Sequence, residues 1–229
     1  MKRRDLLLAG TAGVLSIAAS QNHQPASVPL AAPKDGVLVA FVVGRDSTII
    51  DFAGPWEAFG DAMVQGTPSG FGFRMLSVSD SVQPLNFAGL TVTPNYTYST
   101  FPSQPNVIVI GAQPDHTPAK IAWIKEASQN ADVVMSVCLG AFLLAKTGLL
   151  NGLEATTHHD AYARFEKAFP NVRLVRGPRY VDNGKVASAG GESSGIDLAL
   201  HIVERYYGKQ VAADAADTME FTRLTPRPA

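Results

Sequence analysis

Apolar residues in this chain gather into short unbroken runs, and stretches with helical spacing separate them. Gly36 to Val43 reads Gly-Val-Leu-Val-Ala-Phe-Val-Val, with no polar interruption, as in a strand buried on both faces. Val107-Ile108-Val109-Ile110 repeats the pattern and is ended by Gly111, and Ala131 to Val137, interrupted only by Asp132 and Ser136, is a further apolar run before Cys138. A further strand is predicted over Phe71 to Ser79 and a short extra one over Gly89 to Val92. Shorter strands are predicted at Val172 to Leu174, Tyr180 to Asp182 and Val186 to Ala189. Helical spacing covers Pro55 to Val64, Pro118 to Asn130 and Leu139 to Gly148. From Ser194 to Tyr207, Ile196, Leu200 and Val203 share one helical face, away from Asp197, Glu204 and Arg205. Strands alternating with helices imply an α/β fold in which a parallel sheet is covered on both sides. Sites in such sheets form outside the carboxyl ends of the strands.

Composition narrows the class. With 229 residues, 46% of them hydrophobic and 17% charged, the chain can bury the core of one α/β domain. A net charge of -1 leaves no basic footprint for nucleic acid. The first residues read as an address. Lys2-Arg3-Arg4-Asp5 precedes a mildly apolar run to Ala19 and a small-residue end at Ala18-Ala19-Ser20, the order of a twin-arginine signal peptide over residues 1–20. The run of about 14 apolar residues is shorter than the roughly 20 that span a bilayer, so no stable membrane anchor is expected. Residues 21–34, rich in Pro, Ala and Ser, are predicted to be a flexible tether, leaving 35–229 as the folded domain and a periplasmic or secreted destination.

Cys138 is the only cysteine. It stands where a β-branched run gives way to Leu139-Gly140 and a helix former, so it is predicted to occupy a sharp strand-to-helix turn at the carboxyl end of a sheet strand. Backbone N–H groups at that helix start would favour its thiolate. A buried cysteine acting as a small hydrophobe fits the same pattern. Asp51, inside Ile49-Ile50-Asp51-Phe52, is an acid among apolar residues just before a turn, to be read either as a functional carboxylate or as the cap of the next helix. In Ala155-Thr156-Thr157-His158-His159-Asp160, adjacent histidines on a strand would face opposite ways. One useful histidine, His158, is therefore expected rather than a metal pair. No zinc-finger spacing and no His-Glu-x-x-His pattern occurs, so no metal and no cofactor is expected. Gly190-Gly191 and Gly195 lack the Lys-Ser/Thr of a phosphate loop and are read as places of close backbone approach.

Taken together, Ser136-Val137-Cys138-Leu139-Gly140-Ala141, Ala155-Thr156-Thr157-His158, Ser188-Ala189-Gly190-Gly191 and Ser194-Gly195-Ile196-Asp197-Leu198-Ala199-Leu200 resemble the ThiJ/PfpI superfamily. The resemblance runs from about Gly36 to Phe221. It implies the class I glutamine amidotransferase-like fold: a three-layer, flavodoxin-like sandwich with a mostly parallel sheet and a nucleophile elbow. Asp51-Phe52-Ala53-Gly54-Pro55-Trp56-Glu57 and Gly148-Leu149-Leu150-Asn151-Gly152 are similar to isonitrile hydratases and to the amidotransferase-like domains of AraC-type regulators. The likeness implies Cys138 as nucleophile, Asp51 as its acidic partner, and His158 near the sulfur. It also implies backbone donors from Leu139 and from the Gly111-Ala112 loop, and a homodimer. Two departures stand out: Leu139 replaces the hydroxyl residue of isonitrile hydratases, and Gly111-Ala112-Gln113 replaces the Pro-Gly-Gly of many relatives. The regulators carry a DNA-binding tail, and the signal peptide together with an end at Ala229 points away from regulation. The expectation is an exported, cysteine-dependent enzyme acting on a small electrophile, isonitrile hydratase-like. The alternative is a domain of the same fold that binds a small molecule or senses oxidation through its thiol.

Overall fold

The computed structural model describes residues 28–222. The expected signal peptide, residues 1–20, and residues 21–27 of the expected tether lie outside the described residues. Apolar runs, broken only by Ser136 in the last, form the central strands β1 (Val37–Val42), β6 (Val107–Ile110) and β7 (Val133–Val137), and every residue in all three is buried. With β2 (Phe73–Ser79), β5 (Tyr96–Thr97), β10 (Tyr180–Asp182) and β11 (Val186–Ala189) they make a seven-stranded sheet in the order β10-β11-β7-β6-β1-β2-β5. All neighbours are parallel except β10 and β11. Two small pairs lie apart, an antiparallel hairpin of β3 (Leu85–Phe87) with β4 (Leu90–Val92), and β8 (Glu154–Ala155) with β9 (Arg173–Leu174).

Period-two alternation divides the buried residues into two cores. Val107, Val109, Met135 and Val137 face α1 (Ile49–Gly60) and α5 (Ser194–Thr218), while Ile108, Ile110 and Val134 face α2 (Pro118–Ser128), α3 (Gly140–Lys146) and α4 (Tyr162–Ala168). This is the three-layer α/β architecture expected from the sequence. From β1 the chain moves to β2 on one side and from β6 to β7 on the other, so the switch point opens between the carboxyl ends of β1 and β6.

The boundaries of two helices differ most from the periodicity reading. Helix α1 starts at Ile49, not Pro55, because the chain turns straight after β1, so Asp51 lies inside the first turn of the helix. Close packing of α1 on α5 depends on absent side chains. A Cβ at Gly54 would lie 2.8 Å from Ile196 Cγ1, and one at Gly195 would lie 3.2 Å from Pro55 Cγ. Helix α5 runs on to Thr218 past a break at Gly208 (φ 87°, ψ 171°), the residue after the predicted end. At the amino-terminal edge of the described chain, Leu30 N–H donates to Arg205 O (2.8 Å) and Arg205 Nε donates to Val28 O (3.1 Å). The last part of the expected tether is thus held against α5.

Candidate active site at the β7–α3 elbow

Cys138 joins β7 to α3 with φ 57°, in the left-handed region that favours glycine. Its neighbours hold it there. Its N–H donates to Gly190 O (2.9 Å), and Thr157 Oγ1 donates to its carbonyl (2.8 Å). Behind it α3 presses on the end of β6 so closely that a Cβ at Gly140 would sit 2.1 Å from Ile110 O. The sulfur-bearing residue is only 5% exposed.

Asp51 reaches this point from α1 and is fully buried. Its Oδ2 accepts the Ala112 N–H (2.8 Å), and its Oδ1 has no hydrogen-bond partner among the described residues. Gly111 lets the two segments meet, since a Cβ there would lie 2.9 Å from Asp51 Cβ. Burial pushes the Asp51 carboxyl up to about 7, with the Ala112 N–H holding it down in part and the Glu192 carboxylate adding to the rise. Burial, and then the Asp51 charge, push the Cys138 thiol up to about 11, against the N–H groups of Glu192 and Leu139 that favour the thiolate. At neutral pH the sulfur therefore keeps its proton, while Asp51 sits near its midpoint, divided between its charged and its protonated form. The thiolate expected from the helix start does not form in the resting site, because α3 has only seven residues and burial outweighs its amides.

The expected site residues divide into those the fold brings together and those it places elsewhere. Cys138, Asp51, Leu139 and Gly111 all lie at the elbow. Ala112 is there too, but its N–H is committed to Asp51 and is not aimed at a ligand. Sequence reading missed Glu192, whose N–H takes that donor position beside the sulfur, and Thr157, which fixes the elbow carbonyl. The glycine pair before Glu192 was the available signal. His158 forms no hydrogen bond with the sulfur among the described residues. Its Nδ1 accepts the Asp160 N–H (3.3 Å), and its ring fills the space left by the missing side chain of Gly191. Nor do His158 and His159 point apart: they lead into a 3-10 turn rather than lying on a strand, and their rings stack 4.4 Å apart. With Asp160 they bring three potential ligand atoms within 4.8 Å of one another, although His158 Nδ1 already spends its lone pair on the Asp160 N–H.

A cleft of about 150 Å³ adjoins the elbow, lined by Thr157, His158, Tyr162, Arg179, Gly190 and Ser193 among others. Arg179 is already paired, its Nε donating to Asp197 Oδ2 (2.9 Å), so its charge is largely balanced. A larger depression, about 540 Å³, lies along α5 around Lys209 and Phe221 and contains no elbow residue, so size does not mark the site here.

An HTH-type transcriptional regulator, CdhR of Pseudomonas aeruginosa, is 30% identical over 52% of this chain and 36% of its own. The regulator GbdR of the same species is 24% identical over 66% of this chain and 49% of its own. Thus the chain spans between about a third and a half of the length of these regulators. An isonitrile hydratase of Pseudomonas putida is 27% identical over 64% of this chain and 65% of its own. Among solved structures, a THiJ/PfpI family protein from Pseudomonas syringae superposes with a TM-score of 0.71 and 25% identity, covering 93% of this chain and 86% of that one. The DJ-1/PfpI family profile matches residues 37–205, which include β1, the Asp51 turn, the Cys138 elbow and most of the first segment of α5, and the chain belongs to the DJ-1/PfpI family.

Proposed function

We propose that the protein is a cysteine-dependent enzyme acting on a small electrophile, with isonitrile hydration to an N-formamide as its reaction. The observation that carries this reading is the bare Asp51 Oδ1, fully buried beside a thiol whose backbone is held at positive φ. A carboxylate titrating at about 7 next to a protonated thiol is a proton acceptor matched to neutral pH. The Cys138 sulfur bonds to the terminal isonitrile carbon while its proton passes through Asp51 to that same carbon, leaving a thioformimidate, R–N=CH–S. Water adds to that carbon, one proton goes to nitrogen, the carbon–sulfur bond breaks and sulfur regains its proton as R–NH–CHO departs. The Leu139 and Glu192 N–H groups stabilise the charge that develops at the elbow. Purified protein offered a panel of isonitriles and dicarbonyls tests the reading. Cys138→Ala is expected to lower turnover by roughly a thousandfold or more, and activity that survives it removes the covalent mechanism.

A second reading has its own support: the same crevice as a ligand-binding or thiol-oxidation sensor. Two observations favour it, the names of CdhR and GbdR and a thiol held at about 11. Under this reading Cys138 reacts slowly with iodoacetamide at pH 7 and no panel compound is consumed. Export through the segment Lys2 to Ser20 and a homodimeric state complete the proposal. Cell fractionation with amino-terminal sequencing tests the first, and sedimentation tests the second.

A further inference from the structure

Lys120, on α2, is a lysine with no exposed surface and lies outside the chemistry above. Its Nζ donates to Gln113 Oε1 (2.5 Å) and Asp115 O (2.9 Å) and pairs with Asp115 Oδ2 (3.1 Å). Burying an ammonium is costly even when it is paired, and an apolar side chain of similar volume is often tolerated as well or better. Stability alone therefore does not account for a charge at this position. Its contacts suggest another role. Gln113, held by Lys120, donates through Nε2 to Val42 O (3.1 Å) and to Gly111 O (3.4 Å). The intervening residue, Ala112, donates its N–H to Asp51 and accepts the Thr48 N–H (2.9 Å) from the entry to α1. The cluster also abuts Gly44, where a Cβ would come within 2.6 Å of Gln113 Oε1, Asp115 Oδ1 and Lys120 Nζ. Both segments that bring Asp51 and its amide partner together, residues 44–51 and 111–113, thus converge on this one ammonium.

We propose that Lys120 is a positioning residue for Asp51: acting through Gln113, it fixes the Gly111-Ala112 loop so that the Ala112 N–H stays aimed at the carboxylate. Importance for turnover rests on the proposed role of Asp51 as proton carrier. The geometric claim does not.

The test is an NMR titration of the Asp51 carboxyl in the intact protein carrying labelled aspartate, with Asp51→Asn identifying the resonance. The charged and titratable neighbours facing that carboxyl are Cys138 and Glu192, and both stay unchanged. Lys120→Met keeps the bulk and removes the charge, and Gln113→Leu cuts the next link. Each is expected to raise the Asp51 midpoint by about one pH unit, because a carboxylate that loses a backbone hydrogen bond holds its proton longer. The double variant is expected to move it no further than either single one, as for two links of one path. An unchanged midpoint in folded Lys120→Met overturns the proposal. If that variant does not fold, Gln113→Leu alone decides it in the same way. No substrate is needed, so a shifted midpoint with no hydratase activity sinks only the enzymatic reading. Cys138-dependent turnover with an unmoved midpoint sinks only the role of Lys120.

Discussion

Asp51→Asn protein is expected to resist urea better than the parent at pH 8, with an advantage roughly 2.5 kcal/mol larger there than at pH 5. The cause is the fully buried carboxyl, whose pKa rises from 3.8 to about 7 on folding. Below the lower value both states hold the proton and ionisation adds nothing. Between the two values the unfolded chain ionises while the folded one does not, so stability falls as pH rises, and above the upper value the loss is constant. Asparagine cannot ionise and escapes that loss. Its carbonyl still accepts the Ala112 N–H, while its amide donor meets the unpartnered corner now occupied by Oδ1, which offsets part of the gain. Urea unfolding at several pH values measures the difference. An advantage that is flat with pH would mean that Asp51 is not a buried, ionising group. A gain in stability combined with lost turnover is the pattern of a residue kept for chemistry.

Gly140→Ala is expected to cost roughly 3 kcal/mol, although the same change in an ordinary helix interior gains about 0.5 to 1. The sign is reversed by one contact. The new Cβ would lie 2.1 Å from Ile110 O and 2.9 Å from Gly111 C, both backbone atoms of the segment that leads into the Asp51 contact. Relief requires α3 to lift off β6, which also releases the Cys138 turn, so the thiol is expected to alkylate faster. Gly60→Ala is the control, since its Cβ would meet only Met75 Cε at an ordinary 3.5 Å, and it is expected to be neutral or slightly stabilising. Equal unfolding midpoints for the two variants would refute the close approach.

Much of this fold was legible in the chain because a doubly covered parallel sheet leaves a plain mark. Val107–Ile110 and Val186–Ala189 form strands with the predicted limits, since a strand buried on both faces is almost wholly apolar or small along its length. Helix starts were harder to read. The α1 boundary was hidden because Ile49-Ile50 resembles a strand tail, and only packing against α5 makes it helical. The elbow itself was legible, since a lone cysteine between a β-branched run and Leu139-Gly140 has few other places to go.

By itself, then, the sequence determined the layered α/β architecture, the family, and the position of Cys138 at the carboxyl end of a central strand. These follow from local pattern: two-sided burial, turn residues and motif order act over short stretches of chain. Tertiary structure alone decided the protonation of the pair, the commitment of Ala112 to Asp51, the donor role of Glu192 and the strut from Lys120. Each depends on groups far apart in the chain meeting at a few ångströms out of water. There, desolvation sets the charge state, and it has no counterpart in any linear pattern.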